Sequence, residues 1–347
     1  LPVFLCKKGW QRFLIPLSKC QIVTKKPVIS IVICTFNRLE SLIRLIENCR
    51  SEATLVGLPL EIVVSDNSPT SYASEVVKNY ARQLPSVRYV IAHPANISVA
   101  RNQGIKAAQA DHIAFIDDDA TIEPGWVDKM YATLQKSGAD CVLSAIIAKP
   151  EITPPAWDPD VRQFVRKWPM PDGKLISLTR SGRAPVVVST NASLWLRQSC
   201  FKTEAPFDPD FGLSGGEDLD LFLKLMKRNI KIAWCGSAQC NEWVPASRMQ
   251  FKYLFLRAFS GGQVFAASVV HNADHKLLMA VRLMGVGVLQ SVVGSLIAIF
   301  LTMDYCLRGT KLTAVFASLL LKLAGALGKC LWFLKIPLYQ IEARKQS

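Results

Sequence analysis

The chain has 347 residues, half of them apolar, and a formal net charge of +14. With a mean hydropathy of +0.23, that excludes a disordered chain and leaves material for a sizeable core, at a prior of about two domains. The charge invites a nucleic-acid reading, but residues 1–26 carry +6, residues 27–245 carry −1 and residues 246–347 carry +9, so the central body is neutral and the basic surplus lies on its flanks.

Residues 1–26 alternate apolar and basic character around Trp10 and Phe13. They read either as an amphipathic membrane-surface segment or as a disordered basic arm. Pro27 opens the folded part. Val28–Cys34 is a short β-branched run ending at Thr35-Phe36-Asn37 and predicts a buried strand. Glu40–Arg50 has helical spacing, Leu60–Ser65 is a second strand ending at Asp66-Asn67, and Glu75–Arg82 is a second helix. Val87–Ile91 is a third strand, Ile97–Gln109 a third helix, and His112–Ile116 a fourth strand that runs into Asp117-Asp118-Asp119. Strands alternating with helices in this way imply βαβ units, an α/β fold and a mostly parallel, Rossmann-like sheet flanked by helices. Ligands of such sheets bind outside the carboxyl ends of the strands, which is where these polar clusters fall.

A helix follows from Glu123 to about Lys136, then a strand over Cys141–Ala148. Pro150–Arg183 is a Pro- and Trp-rich excursion of the kind that is often functional. Pro185–Thr190 reads as a strand followed by Asn191. Gly215-Gly216-Glu217-Asp218 introduces a helix over Leu219–Arg228, and Ile230–Trp234 is a last strand. Beyond Ser247 the chain turns apolar and basic. Leu283–Met303 is uncharged and as a helix would be about 31 Å long, enough for a bilayer core. Leu312–Leu334 is also apolar, with Lys311, Lys322 and Lys329 on one helix face, which suits an interfacial helix. Asp304–Lys311 reads as the turn between them. A soluble helical hairpin covering the sheet is the competing reading. The expected organisation is a basic segment over 1–26, a catalytic domain over 27–260, and a membrane-associating helical hairpin with a basic tail over 261–347. The ten cysteines include no C-x-x-C pair and suit a reducing cytosol.

Three adjacent carboxylates repel one another, and Asp117 and Asp119 project the same way from an extended backbone. They suit Mg²⁺ or Mn²⁺, hard ions that also bind phosphates. Carboxylates in a first helical turn, as at Glu217-Asp218, are favoured by the helix dipole. An ionised carboxylate there can accept a proton from a hydroxyl.

The run SIVICTFNR, EIVVSDNS, NISVARNQGI, FIDDD, STNASLWLR and GGEDLDLFLKL resembles the inverting family-2 glycosyltransferases of the GT-A fold. It is similar in particular to bacterial exopolysaccharide glycosyltransferases of the succinoglycan kind, over about residues 28–260. The resemblance implies transfer of a sugar from a nucleotide-sugar donor, a UDP-sugar, to a glycan or lipid-linked saccharide acceptor. It implies that Thr35, Asn37 and Arg38 line the nucleotide pocket, Asp66 reads the base, and Arg101 lies near base and diphosphate. Asp117, Asp118 and Asp119 would hold donor and metal, with Asp119 the more direct ligand and Asp117 its partner. Asn191 would shape the sugar site, Asp218 would be the general base beside Glu217, and Trp243 and Arg248 would border the acceptor. Ser65 departs from the aspartate that many members carry there, and Ile97 stands near a glycine of many members. The basic flanks would place the enzyme on the cytoplasmic face of the bacterial inner membrane, among lipids. Three other readings compete: a nucleotidyltransferase on a similar sheet, a nucleic-acid-binding protein, and a catalytically silent membrane-bound scaffold. CTFNRLES is not the Gly-rich basic loop of the first, the neutral core opposes the second, and the complete carboxylate set opposes the third.

Overall fold

The structure, a computed structural model, describes residues 26–84, 86–176, 189–308 and 313–334. The chain first runs β1 (Ile29–Thr35), α1 (Leu39–Val56), β2 (Leu60–Asp66), α2 (Ser74–Gln83), β3 (Val87–Ile91), α3 (Ile97–Ala107), β4 (His112–Phe115), β5 (Ala120–Ile122), α4 (Trp126–Ser137) and β6 (Cys141–Pro150). There follow β7 (Leu175–Ile176), β8 (Ser193–Leu196), a single turn α5 (Arg197–Cys200), α6 (Glu217–Lys227) and β9 (Ile232–Val244), and then three long helices, α7 (Phe251–His271), α8 (Lys276–Arg308) and α9 (Thr313–Cys330).

β1 is apolar on both faces because each face meets a different helical layer. Ile29, Ile31 and Ile33 pack with Leu42, Leu45 and Ile46 of α1, Val77 of α2 and Trp126 and Met130 of α4. Val32 points the other way, toward Ile105 of α3 and Leu221, Phe222 and Leu225 of α6, among Phe115, Trp195 and Trp234. The result is a three-layer α/β/α body.

The strand order is β3-β2-β1-β4-β8-β6-β9-β5, with β7 added on β9. Pairing is parallel along β3-β2-β1-β4 and between β6 and β9. β8 is antiparallel to both β4 and β6, and β5 and β7 are antiparallel to β9. The sheet is therefore mixed where the sequence suggested mostly parallel. β8 is reached from β6 through the long excursion rather than a crossover helix, so it enters against its neighbours. The strand expected over Pro185–Thr190 is not found at Ser189 and Thr190, and β8 begins only at Ser193; residues 185–188 lie outside the described residues. β9 is much longer than expected. Its register against β6 breaks between Ser144 and Ala145, and Asp172 accepts the freed N–H groups of Gly236 (2.6 Å) and Ser237 (3.2 Å). The bulge carries the second half of β9 to β5 and over the end of β4, where the Trp243 N–H donates to the Asp119 carbonyl (2.9 Å).

Of the N-terminal segment only Lys26 is among the described residues, paired with Asp111 at 2.9 Å. The expected boundary at residue 260 falls inside α7, a continuous helix. α9 lies between α7 and α8 and approaches both closely: a Cβ on Gly262 would meet the Gly325 carbonyl at 2.0 Å, and one on Gly287 the Ala326 carbonyl at 2.8 Å. Asp304–Arg308 is helical rather than a turn, and Lys311 lies outside the described residues. Lys322 is exposed, whereas Lys329 donates to Gln290 (2.8 Å) and faces the Phe265 ring. α9 is thus packed as the middle helix of the three. α8 is buried at Ala280, Gly287 and Gly294 along one seam and shows Leu277, Val281, Leu289, Leu296 and Phe300 outward.

Gly104 lets α3 sit directly on β1, since a Cβ there would lie 2.4 Å from Val32 Cγ1. Val32 is fully buried and β-branched, so it has little rotamer freedom to yield. Gly104→Ala is expected to destabilise the fold by about 1–3 kcal/mol despite its better helix propensity, read as a lowered midpoint in thermal or denaturant unfolding.

Candidate active site

Parallel register brings Thr35 level with Asp66 at the carboxyl end of the sheet, and Val32 level with Phe115. Continuing β4 past Phe115 therefore sets Asp117 and Asp118 beside Cys34 and Thr35. Thr35 Oγ1 donates to Asp118 at 2.8 Å, and Arg38 Nη1 donates to Asp118 (2.9 Å) and Asp119 (3.0 Å). Arg248, following β9, reaches the same Asp119 oxygen at 2.9 Å. The Asp117 N–H donates to Asn191 Oδ1 at 3.1 Å.

Arg101 on α3 is buried below this row. Its guanidinium lies 2.5 Å from Glu217, 3.0 Å from Asp218 and 3.9 Å from Asp117, and stacks over Phe207. Asn96 caps α3 by accepting from the N–H groups of Ser98 (3.0 Å) and Val99 (3.2 Å), which fixes the start of the helix that carries Arg101. Glu217 and Asp218 open α6 after Gly215 and Gly216, whose φ values of +86° and +96° suit glycine. A Cβ on Gly216 would also meet Val264 of α7 at 2.9 Å. Asp218 accepts from Thr190 Oγ1 (2.8 Å) and Thr190 N–H (3.1 Å).

These elements enclose a cleft of about 570 Å³. Thr35, Arg38, Arg101, Asp117, Asp118, Asp119 and Arg248 line it, while Asn191, Glu217 and Asp218 border it through the contacts above. Three expected residues are placed otherwise. Asp66 is sealed: its oxygens accept from the Ser68 N–H and hydroxyl, the Ala73 N–H and the Tyr89 hydroxyl, so it holds the loop after β2 and presents no free carboxylate to a base. Asn37, at a left-handed φ of +54°, is not among the residues that line the cleft, and its buried Oδ1 has no hydrogen-bond partner among the described residues. Trp243 lays its indole against Arg44 of α1 (4.7 Å) with its N–H toward Thr121, on the side of β9 away from the cleft. Ser65 donates to the Ala100 carbonyl (2.7 Å) and ties α3 to β2.

α7 supplies a wall of the cleft, lined by Tyr253, Arg257, Ser260, Gly261 and Val264; the sequence points to Arg257 alone of these, as a cation that with Arg248 and Lys252 could pair with a lipid-linked pyrophosphate, and the rest of the wall was missed. The spacing of the five is one helix face, a signal that was present but hidden within a segment read as apolar and basic. The sequence reading also missed Glu242, which the β9 bulge brings beside Asp119, and Thr190.

Counted together, Asp117, Asp118, Asp119, Glu217, Asp218 and Glu242 face Arg38, Arg101, Arg248 and Arg257. Six carboxyls against four guanidiniums leave two negative charges in excess when all are ionised. Burial pushes Glu217 up to about 7, with Asp218 adding to it and Arg101 opposing. Burial likewise pushes Glu242 up to about 7, reinforced by Asp119. Enclosure raises Asp117 and Asp118, opposed by Arg101 and by Arg38 respectively. Asp119 goes the other way: burial alone would raise it, but Arg248 and Arg38 together hold it below the usual range.

The carboxyl oxygens of the aspartate row are hard donors of the kind that fit a divalent cation. Among the described residues no three His, Cys, Asp or Glu groups converge to hold an ion alone.

Residues 30–197 match the model of glycosyl transferase family 2. The chain carries a family 2 glycosyl transferase domain. It is accordingly a transferase, with a mixed sheet flanked by helices. It is 29% identical over 252 residues to the succinoglycan biosynthesis protein ExoM of Rhizobium meliloti strain 1021, covering 71% of this chain and 76% of that protein. It is 27% identical to a validoxylamine A glucosyltransferase of Streptomyces hygroscopicus subsp. jinggangensis, covering 59% of this chain and 52% of that one. The S. aureus TarS 1–349 structure in complex with UDP aligns over 88% of this chain and 90% of that one, at 14% identity and a TM-score of 0.47. The family 2 domain thus contains the aspartate row, Arg101 and Asn191, while Glu217, Asp218, Glu242 and the α7 wall lie beyond the matched residues.

The raised carboxyls make a stability prediction. Folded Glu217 and Glu242 hold protons more tightly than the unfolded chain does, so the stability they contribute is complete below about pH 4.5 and is lost as pH rises through about 7. The unfolding midpoint should fall over that window in the wild-type protein and fall less in the Glu217→Gln/Glu242→Gln double variant, as read by thermal melts across pH.

Proposed function

We propose that this transferase moves a sugar from a UDP-sugar to a glycan or lipid-linked saccharide acceptor with inversion, in the building of a bacterial surface polysaccharide. The observation that carries the reading is the convergence of Asp117, the first of the aspartate row, and Asp218 on one buried guanidinium, Arg101, at the floor of a single cleft. The kinship with a succinoglycan biosynthesis protein supports the polysaccharide setting.

In this reading the acceptor hydroxyl gives its proton to Asp218. The acceptor oxygen attacks the anomeric carbon from the face opposite the diphosphate, and the carbon–oxygen bond to the diphosphate breaks. Thr190 aims the Asp218 carboxylate, since both its oxygens are held. Arg101 lies between Asp218 and Asp117, so one cation faces both the base and the side on which leaving-group charge grows. Glu217 holds Arg101 from below. Asp119 and Asp117 would hold Mg²⁺ or Mn²⁺, which when bound supplies neutralising charge to the diphosphate. Arg38 and Thr35 orient the Asp118 carboxylate beside that pair. Arg248, Tyr253 and Arg257 form the acceptor side; Trp243 does not, since its indole packs on Arg44. A panel of UDP-sugars with Mn²⁺ should give nucleotide release with one donor. Asp218→Asn should bind UDP as the wild type does and lose a factor of about 10² or more in turnover. Near-normal turnover in that variant would refute the assignment.

We further propose attachment to the cytoplasmic face of the bacterial inner membrane through α8. α7 and α8 are both long and apolar enough to cross a bilayer, but α8 is 17% buried over its apolar window against 44% for α7, which walls the cleft. α8 is apolar nearly all round, as suits a helix immersed in hydrocarbon. Removing residues 277–347 would also strip α9 from α7, so substitutions on the outer face of α8 are the cleaner probe. Leu289→Lys with Leu296→Lys and Phe300→Lys should move the protein from the membrane fraction to the soluble one. Unchanged sedimentation with membranes would exclude α8 as the anchor.

A further inference from the structure

Arg166 lies in the excursion after β6 and is 4% exposed. A buried guanidinium is costly unless its donors are met, and a carboxylate is the usual partner. Here Nε donates to the Ser144 carbonyl (2.8 Å), Nη1 to the Ser189 carbonyl (3.0 Å) and hydroxyl (3.4 Å), and Nη2 to the carbonyls of Asn191 (2.7 Å) and Ala192 (2.9 Å). Its own backbone is bonded in both directions to Ile146, at 2.8 and 3.0 Å. Burial lowers its pKa to about 10, which leaves it charged at neutral pH. Four of these five bonds converge on one tetrapeptide, Ser189–Ala192.

That tetrapeptide is where two parts of the site are held. Thr190 donates twice to Asp218, and Asn191 accepts from the Asp117 N–H. Ala192 has a left-handed φ of +54°, a conformation that a non-glycine residue keeps only when its surroundings impose it. The planar fork of Arg166 can reach several carbonyls at once, whereas a lysine ammonium is a compact point charge on a flexible stem.

We propose that Arg166 is a positioning residue for sugar transfer: it fixes the Ser189–Ala192 turn so that Thr190 and Asn191 hold Asp218 and Asp117 in register with each other. Arg166 is not part of the cleft lining and acts through the turn. The proposal rests on the reading of Asp218 as the base.

The test uses the full chain in detergent and the UDP-sugar that the wild type turns over. Arg166→Lys, Arg166→Met, Thr190→Val and both double variants are compared, with thermal melts to verify folding. Arg166→Lys should fold, with kcat lowered about 10²-fold and the donor KM nearly unchanged, the signature of a lost reaction-specific arrangement rather than lost binding. Adding Thr190→Val to either Arg166 variant should cost little more, because both changes act on the same contact. The Lys pair carries the cycle if Arg166→Met does not fold. Wild-type kcat in folded Arg166→Lys, a loss confined to KM, multiplying losses in the double variant, or failure of Arg166→Lys to fold would each overturn the proposal. If Asp218→Asn keeps wild-type turnover, the base assignment fails instead; if it is inactive while Arg166→Lys is fully active, only the positioning role falls.

Discussion

Arg101 sits below the cleft with Glu217, Asp218 and Asp117 within 3.9 Å of its guanidinium. Those carboxyls come from the end of β4 and the start of α6, which are far apart in the chain. Without a cation between them, burial and mutual repulsion would protonate or separate them. The surrounding features follow from holding this group. Asn96 fixes the start of α3, Gly215 and Gly216 turn the chain sharply into α6, and Gly104 lets α3 lie close enough to β1 for Arg101 to reach the strand ends. A second pair of guanidiniums, Arg38 and Arg248, does the same for Asp118 and Asp119 at the cleft's edge.

α7 joins this charge arrangement to the apolar end of the chain. One face, with Tyr253, Arg257 and Val264, walls the cleft, and another meets α9 so closely that Gly262 admits no side chain. α9 in turn holds α8. A displacement of the outer helices would therefore be felt by Gly216 and the start of α6 through Val264 and Ser268, because these contacts are near van der Waals limits and cannot absorb it. The catalytic half and the apolar hairpin are mechanically one assembly, although their compositions differ sharply.

The residues differ in how much of their place could be read beforehand. Elements with strong local periodicity, from β1 to β4 and α1 to α3, stand within about two residues of where pattern and turn chemistry put them, except that α1 continues from the expected end at Arg50 to Val56. The aspartate row is at the strand end that parallel topology requires. Asp66 occupies the expected loop, yet its oxygens are consumed by Ser68, Ala73 and Tyr89, partners that strand register and loop closure select. Trp243 is next to the cleft in sequence and outside it in space because alternate residues of a strand face opposite ways. Glu242, its neighbour, takes the inward place.

Composition and pattern alone therefore determined the layers, the neutral catalytic centre with its basic flanks, the carboxylates available for chemistry, and the presence of an apolar carboxyl-terminal region. Those are properties of short windows and of charge counts, which need no knowledge of distant neighbours. Only the tertiary structure decided which carboxyls share a cation, which turn holds Asp218, that a bulge delivers Glu242 to Asp119, and that α7 is a wall of the cleft. Each of these depends on pairing between segments tens of residues apart, where angstrom-scale distance and burial, rather than residue type, set charge and orientation. The +14 of the whole chain likewise says little by itself: it is the folded arrangement that sets six carboxyls against four guanidiniums at the cleft, two of them, Arg248 and Arg257, drawn from the basic carboxyl-terminal flank.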